Sequence, residues 1–298
     1  MFPVIEQLAA LFSVTEICHT LNVNRSAYYD HLRRGESQRQ QQDQQLAQRI
    51  QEIFEQHQQR YGARRIVQEL ARRNIVCGRA RVAKIMRRLE LKAIQPRSFQ
   101  PKTTQSKHRL GYNDNLLQDQ PTPRKINAAW VGDITYLPLA VGGFAYLAVL
   151  MDLCSRRIVG WAHADHMRQE LTLTALRAAI ASRQPPPGLI HHTDRGGQYA
   201  GKRYRDVLDR ADMRQSMSQA ENCYDNAFME SCFATIKREL RIKPAENLAS
   251  SRKEIQQYIR YYNYQRIHSS IGYRTPNEFE RDMKGGPSVN ACDRNTSQ

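Results

Sequence analysis

Cysteine is scarce and scattered. The 298 residues hold six, at positions 18, 77, 154, 223, 232 and 292, with no C-x-x-C pair. That spacing suggests neither a disulfide framework nor a zinc site. Long apolar runs are missing: no stretch approaches the roughly 20 residues needed to cross a bilayer, so no membrane partner is expected. The opening MFPVIEQLAALF has no basic n-region and does not read as a secretory signal, which leaves the cell interior as the expected location. Sustained heptads are absent too, which argues against a coiled coil of the chain's own. Acidic residues are outnumbered, 29 Asp and Glu against 45 Lys and Arg, for a formal charge of +16. Such an excess suits a polyanionic partner.

The charge is unevenly spread. Residues 1–125 hold 22 Lys/Arg and 11 Asp/Glu, net +11, while residues 126–298 hold 23 and 18, net +5. The first part is therefore expected to supply the electrostatic grip on nucleic acid, and the second keeps its acids for other work. Residues 14–33 read as helix, turn, helix. Ile17, Cys18 and Leu21 face inward, Asn22 sits at a left-handed turn, and Ser26 is placed to cap the second helix. Two readings stand, a groove-reading helix-turn-helix and an ordinary helical hairpin. QRQQQDQQ at 38–45 is low complexity, helical at most and without its own core. Apolar periodicity resumes at Leu46, Ile50, Ile53 and Phe54. Two helices follow, the first broken at Asn74, the second with Val82, Ile85, Met86 and Leu89 inward. Arg79, Arg81, Lys84, Arg87 and Arg88 cover the other faces of that second helix and are candidate DNA contacts, the alternative being a solvated basic face. Residues 93–125, with Pro96, Pro101, Pro121 and Pro123, read as a linker in which 115–117 dock locally.

From Asn127 the pattern turns to strands. AWVGDITYLPL, a turn at Gly142-Gly143, FAYLAVLMDLCSR and RIVGWAHA form a meander. QELTLTALRAAIASR is a helix stopped by Pro185-Pro186-Pro187; GLIHHTD is a fourth strand and KRYRDVLDRADM a further helix. This order predicts an α/β fold of ribonuclease-H-like architecture, preceded by an all-helical, helix-turn-helix-like region. RKEIQQYIRYYNYQRIH adds one more helix, whose Tyr258, Tyr261 and Tyr262 either pack on the core or stack on bases. The expected division is 1–42, 43–92, the linker 93–125, the core 126–282 and a disordered tail 283–298.

Three carboxylates stand out. Asp133 lies inside an apolar β-rich run, where a lone Asp is costly unless bonded, ligated or at the surface. Asp194 ends the fourth strand, just before Gly196-Gly197, where a glycine-permitted turn is expected. Glu230 lies on a helix that Asp225 and Asn226 are expected to open. Phe228, Cys232, Phe233, Ile236 and Leu240 form its apolar stripe, and Glu230, Lys237 and Arg241 share another face at about 100° per residue. Each carboxylate alone has a structural explanation. Asp152, in MDLCSR, reads as structural, and His191 and His192 read as strand residues that hold Asp194 in place.

The order Asp133, Asp194, Glu230, with 35 residues between the last two, resembles the D,D(35)E signature of transposases and retroviral integrases. The words WVGDITY, HHTDRGGQY, YDNAFMESCFATIKREL and RYYNYQRIHSSIGYRTPNEFE resemble the second-reading-frame transposase of the IS-three family of bacterial insertion sequences, as does YGARRI upstream. The likeness runs from about Thr15 to Glu280. It implies the same ribonuclease-H-like fold and a basic residue at Lys237 that contacts phosphate or a terminal base; Arg195 and Arg241 are weaker candidates. It also implies an enzyme located with the nucleoid that acts on insertion-sequence ends and target DNA as a homo-oligomer, with an upstream-frame product often fused by frameshifting. Two departures are visible. The His/Cys zinc module of retroviral integrases is missing, and Gln219-Ala220-Glu221 stands where the family commonly shows a basic residue and glycine.

Clustered carboxylates repel and call for a cation. Hard oxygen ligands suit Mg²⁺, with Mn²⁺ as a substitute, and two ions about 4 Å apart serve in-line displacement at phosphorus. Asp133 is expected to bridge them, with Asp194 and Glu230 completing one shell each. A nuclease without joining activity and a non-catalytic DNA-binding regulator are the rival functions.

Overall fold

The computed structural model describes residues 2–33, 37–94, 112–118, 120–140, 142–218, 227–240 and 245–285. The chain divides into two compact units, residues 1–93 and 94–298.

The first unit is helical. Helices α1 (Phe2–Leu8), α2 (Val14–Thr20) and α3 (Arg25–Arg33) close over a small core of Ile5, Ile17, Cys18 and Tyr28. Ser13 and Glu16 form a capping box at the start of α2, which satisfies two of the amide hydrogens that a helix start leaves unpaired. Asn22 takes the left-handed turn at φ 52° as its residue type predicts. The expected cap at Ser26 is corrected: α3 begins at Arg25, so Ser26 lies inside the helix, and the Asn24 side chain accepts from the Ser26 amide at 2.9 Å. Then α4 (Gln38–Gln56), α5 (Ala63–Arg72) and α6 (Arg79–Arg88) pack on one another. Leu46, Ile50, Ile53, Phe54, Ile66, Leu70, Val82, Ile85 and Met86 are buried among them. The glutamine-rich stretch forms the solvated first half of α4 and is continuous with the apolar second half. Asn74, at φ 61°, turns the chain between α5 and α6.

The second unit is built on a five-stranded sheet in the order β3-β2-β1-β4-β5. The strands are β1 (Ala129–Pro138), β2 (Phe144–Asp152), β3 (Ile158–Ala164), β4 (Ile190–Thr193) and β5 (Arg214–Met217). β1, β2 and β3 pair antiparallel; β4 joins β1 in parallel and β5 joins β4 in parallel. Gly142 and Gly143 turn the β1–β2 hairpin at φ 89° and 78°, values that exact glycine. β5 was not among the expected strands. Its sequence RQSM lacks apolar alternation, and its place comes from pairing with β4.

Both faces of the sheet are covered. On one, α7 (Gln169–Arg183) and α9 (Lys202–Arg210) bury Leu173, Leu176, Tyr204 and Leu208 against Trp130, Ala148 and Leu150. On the other, α10 (Ala227–Glu239) and α11 (Leu248–Tyr264) bury Met229, Phe233, Ile236, Ile255, Tyr258 and Tyr262 against Val131, Leu147 and Val149. Tyr258, Tyr261 and Tyr262 are thus core residues. The Arg266 guanidinium, 3% exposed, meets Glu239, 1% exposed, at 2.9 Å, and the Tyr258 hydroxyl donates to the same carboxylate, so α11 is tied to the end of α10. A last helix, α12 (Pro276–Met283), starts on a Thr275–Glu278 capping box. Its Glu280 accepts from Arg183, Arg157 and the Ser155 hydroxyl. Asp114 and Leu116 bond Met217 and Ser216 of β5 and Leu117 packs on the core, so 115–117 do dock locally. The positions 286–298, most of the expected tail, lie outside the described residues, as do Asp225, Asn226 and Gln219-Ala220-Glu221.

Candidate active site

Parallel pairing of β1 with β4 sets the site. Gly132 pairs with Thr193, so Asp133 and Asp194 stand one residue further along two adjacent strands at the centre of the sheet. Asp133 is half-buried, and its Oδ1 accepts from the Ile134 amide at 2.7 Å. Asp194 follows the last residue of β4, and its Oδ1 accepts from the Gly196 amide at 2.9 Å. The glycine-permitted turn is corrected here. Gly196 sits at φ −61°, open to any residue, and caps a short helix α8 (Gly197–Ala200). A Cβ there would lie 2.9 Å from Asp194 Oδ1 and 2.8 Å from Gln198 Oε1, so those two side chains would have to shift to admit it.

Both carboxylates act on one buried phenol. Tyr199, on α8, has its hydroxyl held well above the ordinary tyrosine range, first by burial and then by the charges of Asp133 and Asp194. Lys237, on α10, is half-buried with its Nζ 4.4 Å from the centroid of the Tyr136 ring. Burial lowers its pKa, and the Asp133 carboxylate works in the opposite sense. The ammonium thus lies within the field of the first aspartate. Glu230 is exposed on the first turn of α10, on the helix that covers this part of the sheet. Among the described residues no three His, Cys, Asp or Glu side chains gather closely enough to hold a metal ion. Two aspartates side by side are hard oxygen donors that fit Mg²⁺ chemically; Glu230 does not complete a three-carboxylate cage with them here.

The competitors resolve as structural. Asp152 is fully buried and accepts from the amides of Asn127, Cys154 and Ser155 and from the Ser155 hydroxyl. It closes the β2–β3 turn. His191 and His192 are buried in β4, bonded to the Tyr204 hydroxyl and the Ser216 hydroxyl at 2.8 Å each. Arg195 donates to the Ser218 carbonyl at 2.8 Å and lies 4.7 Å from the Tyr112 ring centroid. Arg241 lies outside the described residues. In the first unit Arg79, Lys84, Arg87 and Arg88 are exposed on α6, while Arg81 is half-buried and pairs with Asp43 of α4 at 2.6 Å. Sequence reasoning missed Tyr199 and Tyr136. Tyr199 carries a local signal, five residues after Asp194 in the same word; the cation partner of Tyr136 has none.

A central antiparallel meander, extended by two parallel strands whose first carries the second aspartate, defines a ribonuclease-H-like polynucleotidyl transferase core. The integrase core domain family matches residues 123–223 and, in a second model, 211–276; an HTH-like domain family matches residues 41–99. The latter spans α4–α6, and the 14–33 hairpin lies outside it. The chain is 38% identical over 282 residues to the InsF transposase of IS3A from Escherichia coli K12, covering 93% of this chain and 96% of that one. It is 39% identical over 265 residues to a 31 kDa protein of the insertion element IS600 from Shigella sonnei, covering 88% and 97%. A distant structural likeness, TM-score 0.42 at 18% identity, exists to the HTLV-2 integrase catalytic core domain in complex with magnesium, over 51% of this chain and 94% of that one. The chain belongs to the IS3 family of insertion-sequence transposases and is a transposase of the DDE type.

Proposed function

We propose that this transposase cleaves the ends of its insertion sequence and joins the 3′-OH ends to target DNA by transesterification. The observation that carries the proposal is Asp133, within β1, beside Asp194, just past the end of the paired β4, with Lys237 in the field of Asp133. Asp133, Asp194 and Glu230 would hold two Mg²⁺ ions, or Mn²⁺ in their place. Bound there, the metal supplies activation of the attacking oxygen and stabilisation of the leaving one. The residues of the chain do the rest. Ile134 and Gly196 amides fix the two aspartates in orientation. The Tyr199 phenol stays protonated beside them, so it adds no third negative charge. Lys237 offers an ammonium to the phosphate next to the scissile bond, and no protein side chain serves as nucleophile. Glu230 is the third ligand, and Arg195 and Arg241 contribute secondary phosphate contacts.

The basic face of α6, with Arg79, Lys84, Arg87 and Arg88, grips the duplex, while Arg81 divides its charge between DNA and Asp43. Of the expected divisions, 93–125 as a linker and 126–282 as the core are kept, while the 42/43 boundary falls inside the continuous helix α4 and is given up. The active form is a homo-oligomer on DNA, joined where the element uses it by an upstream-frame product, and located with the nucleoid. The inverted repeats bordering the gene provide the test substrate. Mg²⁺ should support both cleavage and 3′-end joining, and Ca²⁺ binding alone. Cleavage without joining would favour a plain nuclease. Retention of DNA without metal-dependent nicking would leave only a regulator.

A further inference from the structure

The far end of the β1–β2 hairpin carries two aromatic rings that the core does not use. Phe144 opens β2 and is 49% exposed. Its ring meets that of Tyr136 edge-on, with centroids 5.0 Å apart and planes at 79°. Neither ring belongs to the two apolar clusters that flank the sheet, whereas Tyr146, paired across the ladder from Tyr136, packs into one of them. About half of the Phe144 surface stays in water, so its contact with Tyr136 leaves part of the ring free. Its surroundings are specific. Lys237 Nζ stands over the Tyr136 ring at 4.4 Å, and the same ammonium feels Asp133. Tyr136 is three residues along β1 from Asp133, about 10 Å at the rise of a strand, and by the alternation of the pleat its side chain leaves the sheet on the face of Ile134 and Tyr146, opposite that of Asp133.

The platform is also held in place. The Leu139 amide donates to the Gly143 carbonyl, and the Ala140 amide donates to the Ala245 carbonyl at 2.9 Å, in a bridge that pairs Leu139 with Ala245. The hairpin tip is thereby pinned to the chain that follows α10, the helix bearing Glu230 and Lys237. An ammonium for phosphate and an exposed ring for an apolar planar surface, on a hairpin bonded to Ala245, match one chemistry, a nucleotide with an unstacked base.

We infer that Phe144, with Tyr136 behind it, is a stacking platform for an unpaired nucleobase at the DNA end while Lys237 holds the neighbouring phosphate. The inference rests on the proposed placement of the DNA end at Asp133 and Asp194. It assigns this chain a base-binding subsite outside the carboxylate triad. It also implies that the end is frayed when engaged, because a base inside a duplex has no free face to offer the ring.

The test uses the full-length chain and duplexes ending in the inverted repeats that border the gene, with 2-aminopurine moved position by position inward from the end. Stacking on an aromatic ring should quench the fluorescence at one position on binding to the wild type. Phe144→Leu keeps an apolar side chain but no π-face. It should lose that quench and weaken end binding by about 5- to 100-fold, the range of a base–aromatic stack. Phe144→Trp should retain both. Pre-frayed ends should bind the wild type more tightly than blunt ones, and the Leu variant should lose this preference. Phe144→Leu with wild-type quenching and affinity, in a preparation that still cleaves, would overturn the platform and leave the site assignment standing. Equal loss in the Trp variant would do the same, by showing that the position tolerates only phenylalanine for packing. A change in molecular mass by light scattering in the absence of DNA, with quenching unchanged, would identify the ring as a self-association contact and overturn base stacking. Failure of the wild type to bind or cleave any end would remove the site reading and this inference together.

Discussion

Glu230 and Lys237 are seven residues apart on α10, facing nearly the same way about 10 Å from each other along the axis, yet they are assigned different work. Glu230→Gln removes a ligand charge, and should stop turnover while leaving end binding largely intact. Lys237→Ala should weaken end binding and be partly rescued by more DNA or lower salt, since the lost contact is to phosphate. A titration of cleavage against DNA concentration at two salt levels separates them. Rescue of Glu230→Gln but not of Lys237→Ala would reverse the roles, and wild-type behaviour of Lys237→Ala would leave it a lysine resting on Tyr136. At this scale the sequence was legible where a residue's word was distinctive. Asp133 fell within a strand and Asp194 at the end of one, and Asp152 proved structural, as expected. The cation–aromatic contact of Lys237 with Tyr136 joins residues a hundred positions apart, so no local pattern carries it. The corrected readings of Gly196 and Ser26 have the same origin: each depends on which atoms lie across the turn.

At the scale of elements, two close contacts hold the catalytic layer together. Gly160 on β3 lies so near α7 that a Cβ would fall on the Ala175 carbonyl oxygen and 2.7 Å from the Ala179 Cβ. These are helix backbone and a short rigid side chain, which cannot swing aside. Gly160→Ala should therefore destabilise the second unit by about 1–3 kcal/mol or more, read as a lower urea midpoint. The Glu239–Arg266 pair is the other contact. Arg266→Ala would strand a buried carboxylate, at a cost of roughly 3–5 kcal/mol, and Arg266→Lys should recover only part of that because it loses the forked contact of Nε to Oε2 and Nη2 to Oε1. A midpoint unchanged in Arg266→Ala would show that the pair is no clamp. Most strands and helices were legible from apolar periodicity, α5 and α9 above all, and from the turn residues at their ends. β5 was not, because RQSM is polar and short and acquires its strand conformation from β4 and from the chain at Asp114. Glu230 sat on a legible helix, but its distance from the aspartates was beyond what spacing encodes.

At the scale of the whole molecule, the two units are assigned different work. With 16 Lys/Arg and 9 Asp/Glu, net +7, in residues 1–92, that segment alone should bind duplex DNA with a steep salt dependence, about −0.9 in log–log slope for each phosphate neutralised. Residues 126–298 should bind more weakly at equal salt; equal affinity would contradict the division. Acid should weaken both units. His57 in the first and His163 in the second are buried, and burial, with nearby arginines, lowers each to about 4. An imidazole whose folded pKa lies below its unfolded value of about 6.5 binds more protons when unfolded. Its contribution to stability is therefore complete above that value and is lost as pH falls toward 4, by up to about 1.4 kcal/mol per pH unit for each group. Urea midpoints at pH 7.5 and pH 5 report this, and identical midpoints would mean that the two imidazoles are not held neutral.

The central claim is that Asp133 and its neighbours perform phosphoryl transfer on DNA ends. The most direct measurement compares wild type and Asp133→Asn on the bordering inverted repeats with Mg²⁺, reading cleavage, 3′-end joining and affinity on the same samples. The substitution keeps size and shape and removes one negative charge from a site that must hold cations. The account predicts no cleavage and no joining by Asp133→Asn, with DNA affinity equal to or above that of the wild type. Cleavage and joining at the wild-type rate would contradict it.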